Sequence, residues 1–552
     1  MISPENNKPH PPGTRYLILL TFVSGMTIMG LEMCSGRLMA PFFGTSVMIW
    51  TVIIGSTMIA LTAGYYLGGL LAEKKPKVEF LAAILFFAAS FVIFLPYVAQ
   101  PVMEIALGRF SVAADSSSNA LVTALSICAL LISAPAVILG MTSPFIIHVA
   151  ALDSSGVGRT AGKVFAFSTL GSILGTLMPA LILLPWIGMR LSFLFFGGLL
   201  LCTVLWPLRR SGFFYFAAGT GIVIVALLLG LNGLKAPLKP PLVHQRETLY
   251  QHVSIFQIPI SSQKEDARAT VLLTDAGIGM QSMWIEGSPI TDSWQDMFAL
   301  VPRVYYAANR KFPDKMLLIG LGGACAPYLI SQQYPDTVID GVEIDRGLLE
   351  AAAPYFPFSY SPRLVSHVSD GRLFMRASRG QYDIVLVDAF RPPHIPFHLA
   401  SLEFFAEVKQ RMTGNGLLAM NIGTTGDKLV FRDIANTVAA VFPHVYYAEY
   451  RPTEGGSVFT TRLLIASEND AKVNRPEVES EILDFPDQTW NKLFQVMRDS
   501  QRSAEGSETS FFKKIPYDSA GTVFTDDLSA LEIVSEKEFM PLTLGYKSGV
   551  KK

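Results

Sequence analysis

Apolar and polar positions divide the chain into two unlike stretches. Up to about residue 234, long apolar runs recur at 16–41, 46–72, 79–99, 119–150, 163–186, 190–208 and 213–234. About twenty apolar residues suffice to cross a bilayer, so the pattern predicts about seven spanning helices. The fourth run is too short for two crossings, and Pro135 and Pro144 predict a kink within it. Gly64, Gly68 and Gly69, and then Gly171 and Gly175, supply small-residue faces on which helices can approach closely.

From about residue 248 the period changes. Short β-like runs at 250–258, 269–274 and 280–285 predict a small antiparallel sheet, followed by a helix over 294–306. Candidate strands then fall at 316–320, 338–343, 364–368, 383–387, 416–421, 444–450 and 461–466, alternating with helical patterns. Such alternation predicts a doubly wound, mostly parallel α/β sheet, Rossmann-like in architecture. A short loop holding Gly455 and Gly456 joins the last two candidates, which predicts an antiparallel pair at the sheet edge. The tail from 468 is polar and partly helical, with loop expected over 500–510. The resulting division is a polar segment 1–14, a transmembrane helical domain 15–234 and a linker 235–247 marked by Pro237, Pro240 and Pro241. The small sheet with its helix takes 248–310, the Rossmann-like domain 311–467 and an extension 468–552.

Composition sharpens this picture. Only 16% of the 552 residues are charged, well below the usual quarter of a soluble chain, and mean hydropathy is +0.38. A net charge of −1 argues against nucleic acid as a partner. The four cysteines, Cys34, Cys128, Cys202 and Cys325, form no disulfide framework. The first apolar run is too long for a signal-peptide core and reads as a retained span, placing the chain in a cell (inner) membrane as a multi-pass protein with the lipid bilayer as a partner. Lys8 and Arg15, then Lys74, Lys75, Lys77, Arg159, Lys163, Arg209 and Arg210, fall on one side of a seven-span arrangement. The positive-inside rule therefore puts the N-terminus in the cytoplasm. Seven crossings would then put the C-terminal half outside, which conflicts with a cytoplasmic nucleoside ligand. Two charges, Glu32 and Arg37, lie near the end of the first run, five residues apart. A charge within a span is a functional suspect by default; the alternative is that Arg37 snorkels and Glu32 pairs with another helix.

Candidate chemistry is concentrated in the C-terminal half. The run KMLLIGLGGA at 315–324 reads as a buried strand entering a glycine turn, and TVIDGVEID at 337–345 as a second strand ending in acid. A glycine turn after one strand and a carboxylate after the next form a nucleoside-binding constellation. Gly320 and Gly322 let the backbone approach a ligand, and Glu343 can accept from both ribose hydroxyls; a ligand-free turn and a surface acid are the alternatives. Asp345 reads as structural. Asp388 ends the apolar run 384–387 at the C-terminal edge of the sheet, where ligands bind and a carboxylate could accept a proton, or could instead cap the following turn.

The soluble half resembles the spermidine synthase family of polyamine aminopropyltransferases, which share the fold of class I methyltransferases. The resemblance rests, in order, on LYQHV at 249–253, GMQS at 279–282, LIGLGG at 318–323, VEID at 342–345, SDG at 369–371, LVDAF at 386–390 and FTDD at 524–527. The membrane half is similar to the multi-span segment fused to such domains in some bacterial proteins, through Leu31, Glu32, Arg37, Leu38, Phe43 and Gly44. The resemblance implies S-adenosylmethionine or decarboxylated S-adenosylmethionine as co-substrate; no metal is expected, since His394 and His398, four apart, sit in a Pro-rich context with no third clear ligand. It also implies Gln281, Asp370 and Gly371 at the cofactor, with Asp370 accepting from the adenine amino group, and Tyr250 at the substrate. An Asx turn is the alternative for Asp370.

Two departures from the family pattern bear on the acceptor. The family carries an acid inside the glycine turn, where this chain has Gly323, and a second acid three residues after the catalytic one, where it has Arg391. Arg391 would repel a polycation by about 1–4 kcal/mol at ~4 Å, so an acceptor other than a simple polyamine is expected, small or membrane-associated. His394 and His398 follow on the same loop as further candidates for substrate contact or base. The expected function is a membrane-anchored transferase. A non-catalytic nucleoside-binding or assembly domain fused to a transport or scaffold domain is the alternative, and a homo-oligomer is compatible with either.

Overall fold

A computed structural model describes residues 14–43, 47–113, 117–152, 156–208, 213–235, 241–260, 268–274, 280–288, 290–390, 395–424, 429–450, 460–505 and 510–527. The chain divides near residue 237 into two compact units.

The first unit is helical: α1 (Thr14–Phe43), α2 (Val47–Lys74), α3 (Val78–Ala113), α4 (Ser117–Gly140), α5 (Thr142–Ala151), α6 (Val157–Met178), a π-helical turn Pro179–Leu183, α7 (Leu184–Leu208) and α8 (Phe213–Lys235). Among the described residues, six helices are long and apolar enough to cross a membrane. The seventh predicted run forms α8, whose described apolar stretch, Ala217–Leu228, is shorter. The fourth run is divided at Met141, between α4 and α5. A Cβ on Gly140 would lie 3.3 Å from the Leu61 backbone, and the Met141 amide reaches back only three residues, to Ile138 O at 3.2 Å. Pro135 sits inside α4, and Pro144 falls in the first turn of α5, where a missing N–H costs little.

Glycines set the helix crossings. A Cβ on Gly171 would lie 2.0 Å from Phe22 O and one on Gly175 2.2 Å from Met26 O, so α6 meets α1 backbone to backbone. Gly64 and Gly68 do the same for α2 against α4 and α5, at 2.3 Å from Val137 O and 2.6 Å from Met141 O. Gly69, expected in the same face, has nothing within 4 Å.

The second unit carries two sheets. Strands β1 (Leu242–Glu247), β2 (His252–Pro259), β3 (Arg268–Thr274) and β4 (Met280–Ile285) form an antiparallel meander, and β1 lies in residues that read as linker from sequence. A 3-10 turn, Trp294–Ala299, leads into α9 (Leu300–Asn309). There follow β5 (Lys315–Ile319), α10 (Cys325–Gln333), β6 (Val338–Glu343), α11 (Arg346–Ala352), β7 (Leu364–Val368), α12 (Gly371–Ala377), β8 (Tyr382–Val387), α13 (Leu402–Arg411), β9 (Met412–Thr424) and α14 (Leu429–Ala439). The unit continues with β10 (His444–Tyr450), β11 (Thr460–Ser467), α15 (Pro476–Leu483), α16 (Gln488–Glu505) and β12 (Lys513–Ile515). Helix α16 runs through part of the expected 500–510 loop. Its Trp490 and Phe494 stack on Phe485 at 5.7 and 5.3 Å, which anchors it to the unit.

The large sheet has the order β12-β10-β11-β9-β8-β5-β6-β7. Strands β9, β8, β5, β6 and β7 are parallel, and β11, β10 and β12 continue antiparallel. The expected antiparallel pair β10–β11 is present, but the short β12 covers it and forms the edge. Successive residues of β5 face opposite layers: Met316 and Leu318 enter one core, Leu317 and Ile319 the other. Burial on both faces is why this strand reads as a continuous apolar run. The chain leaves β5 toward β6 and β7, then returns to its other side as β8, so the strand order reverses between β5 and β8. Ligands bind at such a switch point.

Gly171→Val would drive a branched side chain into the Phe22 carbonyl. The expected loss is about 1–3 kcal/mol of stability, read as a lowered thermal midpoint of the full chain in detergent, while the same change at Gly69 leaves that midpoint in place.

Candidate active site

The C-terminal ends of β5 and β8 are drawn together by backbone bonding, with Asp388 N donating to Ile319 O at 2.8 Å. Gly320 follows at φ +93°, and a Cβ there would sit 2.4 Å from Asp388 O. This glycine is therefore required by the approach of the two strands as well as by the turn. Gly322 (φ +51°) and Ala324 (φ +57°) take left-handed conformations that swing the turn into α10. From the small sheet, Ser282 Oγ accepts from Gly323 N at 2.9 Å and pins the turn. A Cβ on Gly323 would meet the buried Phe356 ring at 2.6 Å, so the space an acidic side chain would need in this turn is filled by an aromatic.

Glu343 ends β6 and is buried. Its Oε2 accepts from Leu321 N and Gly322 N, and its Oε1 from Asp345 N, all at 3.2 Å. Burial pushes its carboxyl above the usual range, and the Gly322 amide opposes that shift. The surface-acid alternative is excluded by this burial. Asp345 is structural: its Oδ1 caps α11 by accepting from Gly347 N and Leu348 N, and its Oδ2 accepts from Thr248 Oγ1 at 2.6 Å and Gln251 Nε2 at 3.1 Å.

Asp370 caps α12 through Oδ1, accepting from Arg372 N and Leu373 N at 3.0 Å each, which is the Asx alternative. Its Oδ2 lies 2.9 Å from His398 Nε2. Gly371 packs α12 onto β5, since a Cβ there would meet Ile319 Cγ2 at 2.2 Å. The FTDD run has a structural part: Asp526 receives Arg372 Nη1 and Nη2 at 2.7 and 2.8 Å, while Glu407 holds the same guanidinium from the other side.

Asp388 is half-buried at the end of β8. Its Oδ1 accepts from Asn421 Nδ2 of β9 at 2.7 Å. Its carboxyl is pushed up to about 7 by burial; the Asn421 hydrogen bond opposes this, and the negative charge of Glu343 adds to it. A carboxyl poised there exists in both protonation states near neutral pH, which suits a general base.

These groups surround one cavity of about 280 Å³. The glycine turn, Glu343, Asp370 and Gly371 line it from the parallel sheet, Tyr250, Gln281 and Ser282 from the small-sheet side, and Asp388 and His398 from the β8 side. The sequence-derived residues Gln281, Gly320, Gly322, Glu343, Asp370, Gly371, Tyr250 and Asp388 are thus brought together. Arg391 and His394 lie outside the described residues, and Glu32 and Arg37 belong to the helical unit. Among the described residues no cluster of His, Cys, Asp or Glu could hold a metal ion. Sequence reasoning missed Asn421 and Ser282. Asn421 carried a signal, a polar residue interrupting the apolar run LLAM of β9; Ser282 carried none.

Over 297 residues the chain is 26% identical to a probable polyamine aminopropyl transferase of Bifidobacterium longum (strain NCC 2705), an alignment covering 53% of this chain and 62% of that protein. It is 29% identical over 250 residues to a polyamine aminopropyltransferase of Vibrio vulnificus (strain CMCP6), covering 44% of this chain and 79% of that one. The C-terminal unit is spermidine synthase-like. It also shares 32% identity over 148 residues with the eEF1A lysine and N-terminal methyltransferase of Bos taurus, covering 24% of this chain and 21% of the bovine protein. A probable spermidine synthase from Corynebacterium glutamicum superposes with a TM-score of 0.39 at 16% identity, covering 52% of this chain and 98% of the other. No family model matches. The chain spans less than two thirds of the length of the Bifidobacterium relative, and is a helical unit followed by an α/β unit similar to polyamine aminopropyltransferases.

Proposed function

We propose that this protein is a membrane-anchored transferase. It takes S-adenosylmethionine or its decarboxylated form in the cavity and alkylates an amine or other nucleophile, with Asp388 as the base. The observation that carries this reading is the Asp388 carboxyl, held by Asn421 and pushed to about 7 at the mouth of a glycine turn. Glu343 and the turn bind the nucleoside, and Gln281 and Tyr250 close over it from the small sheet. Ribose hydroxyls reaching Glu343 would compete with the turn amides for its oxygens, so ligand binding reorganises these bonds. Asp388 accepts the proton that the amine gives up as its lone pair forms the new N–C bond. The C–S bond of the sulfonium breaks in the same displacement, and its electron pair leaves on a neutral thioether. Alignment of amine and carbon by the cavity supplies much of the barrier reduction.

The acceptor is not a simple polyamine. Phe356 fills the place of one acid that a polycation would want, and Arg391 stands at the place of the other. A small or membrane-associated acceptor accounts for the helical unit, whose apolar helices anchor the chain in the bilayer. If the six long apolar helices found among the described residues cross and α8 (Phe213–Lys235) does not, both ends of that six-helix stretch lie on one side, and the positive-inside count makes that side the cytoplasm, where nucleoside co-substrates are found. Seven crossings would part them.

The full-length chain is expected to bind methylthioadenosine in calorimetry. With amine acceptors it is expected to convert decarboxylated S-adenosylmethionine or S-adenosylmethionine to the corresponding thioether. Asp388→Asn then lowers kcat by about 10²–10⁴ with binding retained. Absence of nucleoside binding, or intact turnover in Asp388→Asn, rejects the reading. Reporter fusions after Lys552 are expected to be active only for a cytoplasmic reporter; a periplasm-active fusion contradicts the orientation.

A further inference from the structure

The FTDD run at 524–527 takes no part in the transferase chemistry, yet it reaches the wall of the cavity through one buried arginine. Arg372, in the first turn of α12, is 5% exposed. A guanidinium carries five N–H donors in a rigid fork, and each of them finds an oxygen. Nε and Nη2 donate to the two carboxylate oxygens of Glu407 on α13 at 3.0 and 2.7 Å. Nη1 and Nη2 donate to the two oxygens of Asp526 at 2.7 and 2.8 Å. The other N–H of Nη1 donates to the His398 carbonyl at 3.0 Å. Fork-to-fork pairing fixes orientation as well as charge. With its plane set by Glu407 and Asp526, the guanidinium holds the His398 carbonyl in one place.

His398 closes a ring of contacts. Its carbonyl takes the guanidinium, its Nε2 lies 2.9 Å from Asp370 Oδ2, and Asp370 Oδ1 accepts from the Arg372 amide at 3.0 Å. His398 sits in a 3-10 turn, Phe397–Leu399. Asp370, Pro396, His398 and Leu399 all line the cavity, whereas Arg372 and Asp526 do not. The segment at 524–526 is fixed beside the same turn by bonds of its own. Phe524 is buried; its amide donates to Thr437 Oγ1 of α14 at 3.0 Å, and its carbonyl accepts from Leu402 N at 2.8 Å. The Asp526 amide donates to Glu403 Oε2 at 2.9 Å, and Asp526 Oδ1 accepts from Ser401 Oγ at 2.6 Å. A segment 125 residues beyond Ser401 thus sets where this wall of the cavity stands.

We propose that Asp526 and Arg372 are positioning residues of the cavity: the FTDD segment straps the turn at 397–399 so that the His398 imidazole stands against Asp370 and completes the ligand-binding wall there. The proposal rests on the nucleoside reading of the cavity. Without the strap the turn is free, and the ligand has to order His398 as it binds, which weakens binding.

The test is a double-mutant cycle on the full-length chain in detergent, read as the dissociation constant of methylthioadenosine in calorimetry well below the unfolding midpoint. Asp526→Asn is expected to weaken binding about tenfold, and His398→Ala by a similar factor. The double variant is expected to bind no more weakly than His398→Ala alone, because Asp526 then has nothing left to position. A strap that serves stability only would lower the thermal midpoint of Asp526→Asn and leave its dissociation constant at the wild-type value. An unchanged constant in either single variant overturns the proposal and leaves the nucleoside reading intact. Effects that multiply in the double variant overturn it as well. A wild type that binds no methylthioadenosine rejects the nucleoside reading itself, and this proposal with it. If Asp526→Asn does not fold, Asp526→Glu, which keeps the charge and moves it by one carbon, takes its place in the cycle under the same criteria.

Discussion

The close approach of β5 and β8 is the constraint on which the rest of the C-terminal unit depends. Parallel pairing continues past the strand ends through the bond from Asp388 N to Ile319 O, and the backbone there leaves no room for a side chain on Gly320. That single approach places the glycine turn, the carboxylate of β6 and the carboxylate of β8 around one cavity. Two acids then share a partly dehydrated space, and the charge of Glu343 adds to the cost that burial puts on ionising Asp388. Asn421 offsets this at Asp388 alone, with a hydrogen bond from the neighbouring strand. Environment rather than residue type thus separates the two acids: one is held by three backbone amides, the other is poised to exchange a proton.

Much of this was legible in the sequence because both faces of the parallel strands are buried. Apolar runs such as 316–319 and 384–387 can be read without knowing their neighbours, and polar residues at their C-terminal ends mark the cavity. Asn421 was harder to see, since its partner lies 33 residues away in the chain. Asp370 lines the cavity as the sequence suggested, and its oxygens also hold the cap amides of α12 and His398, which no sequence pattern announces. Strand β1 was missed because its prolines-then-polar context reads as linker, whereas its pairing with β2 is a tertiary fact. Composition located the helical unit but not its crossings: Gly69 and Gly171 look alike in sequence, and only one meets another backbone.

The two units pose different electrostatic problems. In the C-terminal unit, a carboxylate near neutral pH can choose between proton and substrate because the cavity is open on one side. In the helical unit, Glu32 is buried and its Oε2 has no hydrogen-bond partner.

The central claim is that Asp388 ionises near neutral pH because burial dehydrates it, with the charge of Glu343 adding to the shift. Carboxyl-region infrared difference spectra of the full chain against Asp388→Asn, taken across the pH range, test it most directly. The account predicts one protonated carboxyl that is lost as pH rises through about 7 and is absent from the variant. A carboxyl already ionised in the ordinary aspartate range, near ~4, would contradict it.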